Sequence, residues 1–340
     1  MKLPTLEQNQ LAAYRRWERR GKGDGLNLFD YYEARNDLIT DLNYEDIAPY
    51  QLAGLPNKRY LGVAGAPCRF CGKNKPDVKF KNEAHALPEF LGNEALIDRN
   101  ECDTCNNFFS TNLENNLSEF LLPVRTNLGM AGKTGVPTYA SKASRIESDG
   151  TNMEIKQFVS DPVVIMDQAR QKATMPLTVK TYVPIGVYKC LTKMALSIMP
   201  DAEAKHFDRT REWILTKDPT HHVGCFAGHI AYLFFVPGPK PIEHPWTKLL
   251  RRRDDSALLP HLILAVGSAN LIFQSFVPLS DRDDFLHGHR FTFPRFGLPT
   301  GPGSEFGAST VGRMPLWSPD KVRGSTVTIE HHVESFHKLL

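Results

Sequence analysis

The sequence predicts an α+β fold in two unequal parts, a small cysteine-bearing module and a larger mixed α+β region, and three observations predict it. Two CxxC pairs, Cys68/Cys71 and Cys102/Cys105, enclose short strand-like stretches and lead into a helical pattern. After residue 135 the apolar period changes, and strand and helix patterns of a second kind follow. The chain of 340 residues, 41% apolar and 10% aromatic, has enough material to fill such cores.

The cysteine spacing decides what the first part is. A CxxC turn directs both sulfurs at one centre, and two such turns complete a tetrahedral thiolate site for zinc. A disulfide framework belongs to smaller secreted chains, so Cys68, Cys71, Cys102 and Cys105 read as structural zinc ligands. Cys190 and Cys225, in apolar contexts, read as buried small residues. A formal charge of +3 announces no global basic field, so any contact with nucleic acid must come from local patches. No apolar run reaches the ~18 residues of a membrane span. The N-terminal stretch carries charge where a signal peptide needs its apolar segment, and a soluble cytoplasmic protein is the expectation.

Residues 1–60 read as an N-terminal helical segment. Over 5–21 an amphipathic helix is expected, with Leu6, Leu11, Tyr14 and Trp17 at near-helical spacing and "GKGDG" ending it. Arg15, Arg16, Arg19, Arg20 and Lys22 make a basic strip, either a phosphate-contacting face or a solvated face paired with the acidic residues of 30–46. Residues 61–130 hold the module, in the order knuckle, strand ("VKFKNEAHAL"), turn ("LPEFLGN"), short strand and helix ("CDTCNNFFSTNLENNLSEFL"). The prolines and glycines of "PVRTNLGMAGKTGVP" mark a boundary.

Residues 135–340 form the α+β region. A hairpin turns at Asp149-Gly150, "LTVKTYV" is a strand, and "GVYKCLTKMALSIM" and "AEAKHFDRTREWIL" are helices parted at Pro200-Asp201. "FAGHIAYLFFV", "HLILAVGS" and "NLIFQSFVPL" are strands, the last two joined near Ser268-Ala269, and the Pro/Gly-rich tail is irregular. "RRRDD" at Arg251 to Asp255 reads as a solvated, self-compensating loop. His331 and His332 read as surface residues, and neither "HHVGC" at 221–225 nor His287/His289 has the partners of a second metal site.

Within the module a strand end and the first turn of the facing helix come within reach of one another, and His85 and Asn106 occupy those positions. "CRFCG", "AHALPEFLGN" and "CDTCNNFF" resemble the cysteine-bearing branch of the HNH endonucleases, the treble-clef-like ββα-metal nucleases, over residues 66–120. The resemblance implies metal-dependent hydrolysis of phosphodiesters, with His85 as general base and Asn106 as ligand of a catalytic Mg²⁺ or Mn²⁺. It implies a bracing asparagine between the strands, for which Asn93 is favoured over Asn100. It implies nucleic acid as partner, double-stranded DNA by the family's habit, and a setting in phage defence.

The chemistry suits these types. An anionic phosphodiester demands positive charge and a deprotonated water together. Imidazole accepts a proton near neutral pH, and a hard cation takes few oxygen ligands and keeps its waters. Members of the family often carry an acid immediately before the histidine, where this chain has Ala84. Glu83 would share the face of His85 in a regular strand, and Glu114 would lie on one helical stripe with Asn106 and Ser110, so both are candidate carboxylates. The competing reading is a zinc-stabilised binding module without hydrolysis. Nine Asp/Glu against six Lys/Arg between Cys68 and Leu121 weigh against it. The second half is expected to select substrate, form a homodimer or bind an effector.

Overall fold

Thr5 and Gln8 form a reciprocal capping box that starts α1 (Leu6–Arg19), and Gly21, at φ +87°, ends it. The computed structural model describes residues 1–23, 25–142, 144–150, 152–157, 163–217, 230–300 and 306–332. α2 (Asn27–Asn43) packs on α1 and runs into β1 (Tyr44–Asp46) and β2 (Tyr50–Gln51). The apolar face expected to bury α1 is turned outward: Leu6, Leu11 and Tyr14 are exposed, and Asn9 and Arg16 are buried. The carboxylates of α2 reverse it. Arg16 pairs with Asp37 (3.1 Å) and donates to the Leu298 carbonyl, while Arg20 pairs with Asp30 (2.8 Å). Those two cations of the basic strip are therefore held inside the protein, and the acidic residues of α2 account for them.

In the cysteine module, β3 (Arg59–Leu61), β4 (Ala84–His85) and β5 (Leu96–Asp98) make a small sheet with β5 at its centre. β3 pairs parallel to β5, and β4 antiparallel, with His85 opposite Ile97. β4 is much shorter than the strand expected from "VKFKNEAHAL". The Asp103 carboxylate takes the N–H groups of Lys81 and Asn82 (both 3.0 Å), tying that segment to a helix start instead of to a strand. α3 (Asp103–Phe109) continues through a π-turn, Ser110–Glu114, into α4 (Asn115–Asn127). Pro123 lies inside α4, so the helix runs past the boundary expected there.

The remaining elements are β6 (Tyr139–Ala140), β7 (Ser144–Ser148), β8 (Met153–Gln157), β9 (Ile165–Asp167), β10 (Lys172–Thr178), α5 (Pro184–Ile198), α6 (Asp201–Ala204) and α7 (Asp208–Leu215). There follow β11 (Ile230–Phe235), β12 (Ile242–Arg252), β13 (Leu262–Ala269), β14 (Leu271–Phe276), β15 (Thr310–Pro315) and β16 (Thr326–His332). A seven-stranded sheet runs β1-β12-β13-β14-β11-β15 with β2 beside β12, and two three-stranded sheets are formed by β6-β7-β8 and β16-β10-β9. β12 escaped the sequence reading because Pro245 interrupts it; the register shifts between Ile242 and Trp246, where the missing N–H is tolerated. The "RRRDD" stretch is a solvated loop only from Arg253 onward, where Arg253, Asp254 and Asp255 are exposed. Arg252 ends β12 fully buried against Asp283 (2.8 Å), and Arg251 before it pairs with Glu45 and Glu203. His331 is half-buried rather than on the surface, its Nε2 hydrogen-bonded to Asn127 Oδ1 (2.7 Å).

α5 is the centre of the molecule. Every residue from Pro184 to Ile198 is buried, which is the signature of a helix covered on all sides. It lies between α4 and the strands β13 and β14. One apolar cluster reaches from Ala48 and Leu52 through Leu87, Leu96, Phe109 and Leu117, across Val187 and Leu191, to Val266 and Phe273. The segments 1–60, 61–130 and 135–340 thus share a core, and β1 and β2 join the sheet of the last. No helix among the described residues is long and apolar enough to cross a membrane.

The approach of α4 to α5 is close. A Cβ on Gly186 would stand 2.7 Å from Asn116 Nδ2, while Asn116 Oδ1 accepts from the Val183 N–H (2.7 Å) at the start of α5. Gly186→Ala is therefore expected to destabilise the protein by about 1–3 kcal/mol. Urea denaturation checks this, as a lower midpoint at an unchanged slope.

Candidate metal centre and active site

Gly72, at φ +70°, closes the first CxxC turn, donating its N–H to the Cys68 carbonyl (2.8 Å). Cys102 is the N-cap of α3 and Cys105 lies in its first turn. The four sulfurs lie within 4.8 Å of one another, with Cys68–Cys105 at 3.8 Å and Cys71–Cys102 at 3.9 Å. Zinc bonded to four thiolates at ~2.3 Å sets sulfur separations of about 3.8 Å, so the donors fit that ion. The contact between the Cys68 and Cys105 sulfurs pushes Cys68 down to about 4 and Cys105 up. Burial pushes Cys102 up to about 11. Sulfurs crowded in this way need a cation between them before all can ionise. Among the described residues no other group of three or more His, Cys, Asp or Glu comes together in this way, so His287 and His289 belong to no such cluster. Residues 221–225, including Cys225, lie outside the described residues. Cys190 is buried on α5.

His85 ends β4 with its side chain 23% exposed. Its Nε2 stands 3.1 Å from Glu89 Oε1, one helical turn on, in the 3₁₀ turn Glu89–Leu91 that Pro88 opens. Its Nδ1 is covered, and no described protein atom pairs with it. The ring is thus held by one nitrogen and unpaired at the other. Glu89 was missed in the sequence; its position four residues after His85 was the available signal.

Asn93 is wholly buried and knits the turn between the strands, donating to the carbonyls of Leu87 and Leu96 and accepting from the Leu96 N–H, all at 2.9 Å. Asn100 does a different task, bonding both backbone groups of Val63 (2.7 and 2.9 Å) and so tying the end of β3 to the knuckle. Asn106 is half-buried in α3 next to Cys105. Glu83 is exposed, one oxygen paired with Lys58 and the other accepting from Tyr60 Oη (2.9 Å). Those two donors hold its carboxyl below the usual range. The stripe expected for Asn106, Ser110 and Glu114 is broken. The π-turn widens the helix, leaving Ser110 exposed and Glu114 half-buried toward Lys193, at 3.8 Å.

Lys193 was not singled out in the sequence, because 108 residues separate it from the atom it holds. Its Nζ donates to the His85 carbonyl (2.9 Å) and pairs with Glu101 (3.0 Å), and both side chains are buried. Burial pushes the Glu101 carboxyl up, and the Lys193 ammonium pulls against it. For Lys193 the nearby carboxylates outweigh burial and keep the ammonium charged. Arg69, inside the first CxxC, donates to the carbonyls of Leu196 (2.8 Å) and Met199 (2.5 Å) and so caps the end of α5.

Cys102→Ser is expected to lose bound zinc and the folded module with it, since such sites supply folding energy outright. His85→Ala is expected to keep the zinc; elemental analysis of the two purified variants checks both.

No curated protein and no solved structure matches this chain. Residues 68–122, from the first zinc-type cysteine into α4, match the family model of the HNH endonucleases.

Proposed function

We propose that the protein is a metal-dependent nuclease that hydrolyses phosphodiester bonds, with double-stranded DNA as substrate. The observation that carries this reading is the state of His85: Glu89 engages Nε2 and leaves Nδ1 unpaired, at a strand end fixed against α3. In this role Nε2–H donates to Glu89, the covered Nδ1 has to be opened to solvent to take the proton of a water, and Glu89 stabilises the charged ring that results. Asn93 keeps the turn that carries Pro88 and Glu89 in place.

Asn106 and Glu83 are the residues we assign to the catalytic Mg²⁺ or Mn²⁺. Both offer oxygen, and Glu83 is the exposed carboxylate nearest His85 in the chain, although an ion there would compete with Lys58 for it. Glu114 is left to Lys193. When bound, the ion supplies positive charge to the phosphate oxygens as the bond breaks. Lys58, Arg59, Lys79, Lys81 and Arg99 are exposed on the module and suit an anionic backbone. Arg99 also lies over the exposed Tyr60 ring, at 4.5 Å. The choice of DNA, and a place in phage defence, rest on the family's habit. The second half is assigned the selection of substrate, a homodimer contact or an effector site.

Nicking of supercoiled plasmid with Mg²⁺ or Mn²⁺, beside an EDTA control, tests the proposal. His85→Ala should lose on the order of 100-fold or more in rate with its zinc unchanged, and Glu89→Gln should lose less. Equal nicking by wild type and His85→Ala would remove His85 from the reaction. A wild type that binds DNA and nicks none with either ion would favour the non-hydrolytic module.

A further inference from the structure

α5 belongs to the second half of the chain, yet the HNH module grips it at three points. Asn116 accepts from the Val183 N–H at its start, Arg69 of the knuckle caps its end, and Lys193 enters the module from its middle. The partners of Lys193 lie on three separate elements: the His85 carbonyl at the end of β4, Glu101 next to the zinc-type ligand Cys102, and Glu114 at the end of the π-turn. A buried ion pair is poor at adding stability, since apolar groups of like volume pack as well or better. What it does supply is a fixed spacing between the groups it joins. β4 is two residues long and has little ladder of its own to hold its end.

We infer that Lys193 is a positioning residue for the His85 centre, tying the strand end that carries the imidazole to the helix that carries Asn106. The geometry of the HNH module then depends on how α5 is seated in the second half. The catalytic part of this inference rests on the nuclease reading above; the structural part does not.

The test uses the full chain with Lys193→Met, which keeps length and loses charge and donor, and with Lys193→Met/Glu101→Gln, which also removes the carboxylate left unpaired. Zinc content, melting temperature, kcat and KM for Mn²⁺-supported plasmid cleavage, and the ¹³Cε1–¹H signal of His85 are measured. That signal is assigned by its loss in His85→Ala. The double variant should keep its zinc and melt near wild type, lose about 10- to 100-fold in kcat with KM little changed, and show a displaced His85 signal. A double variant with wild-type kcat, or with a His85 signal superimposed on wild type, overturns the inference. So does loss of zinc in step with activity, which would assign Lys193 to folding alone. If wild type cleaves nothing, the nuclease reading fails, and the His85 signal still decides whether Lys193 positions the ring.

Discussion

Four sulfurs set at tetrahedral spacing stand in for a core that this module cannot build from its strands. β4 has two residues and β5 has three, too few for a sheet to persist on its own ladder. The thiolate centre closes the gap between the knuckle and the start of α3, and so fixes where the helix begins. Asn106 follows the last sulfur directly, and the Asp103 carboxylate collects the N–H groups of Lys81 and Asn82 on the approach to His85. The positions of the imidazole and of the amide are thereby both referred to one centre. A residue next to a metal ligand inherits the precision of the metal bond without contacting it.

That centre fixes one side of the site, and α5 fixes the other. The helix is buried along its whole length, which removes the freedom that a surface helix would have to slide or rotate. Its start meets Asn116, its middle places an ammonium against the His85 carbonyl, and its end meets Arg69 from within the zinc-type knuckle. Gly186 lies against the Asn116 side chain, and a side chain there would collide with the asparagine that caps the helix. The second half is accordingly part of the scaffold of the site, whatever further task it performs.

What was legible in the sequence is what short-range chemistry dictates. CxxC spacing announces a thiolate centre, and Gly92-Asn93 announces a turn whose asparagine turns inward to bind three backbone groups. The hairpin at Asp149-Gly150 and helix α5 follow from turn chemistry and apolar period. What was not legible depends on partners far away in the chain. Nothing local distinguishes Lys193 from a solvated lysine, or Arg252 from a loop arginine, until Glu101 and Asp283 are brought to them. The outward face of α1 follows the same rule: its polar side is drawn in by carboxylates on α2, and the apolar period pointed the wrong way. In β12 and in the π-turn, a proline and one widened turn interrupt the periods from which strand and helix stripe are read.

The charge of the module shows how far burial changes a sequence count. Nine acidic against six basic residues between Cys68 and Leu121 describe an acidic segment unsuited to phosphate. In the folded protein Asp98 and Glu101 are buried, the first beside Arg69 and the second paired with Lys193, while Glu89 faces His85 and Asp103 caps backbone N–H groups. Only Asp77, Glu83 and Glu94 of the nine are exposed, and Lys73, Lys75, Lys79, Lys81 and Arg99 of the six are. The carboxylates that make the count acidic are mostly those used inside, and the charged side chains left exposed are more basic than acidic. An interface for an anionic polymer therefore does not require a basic sequence, provided that the acids are used inside.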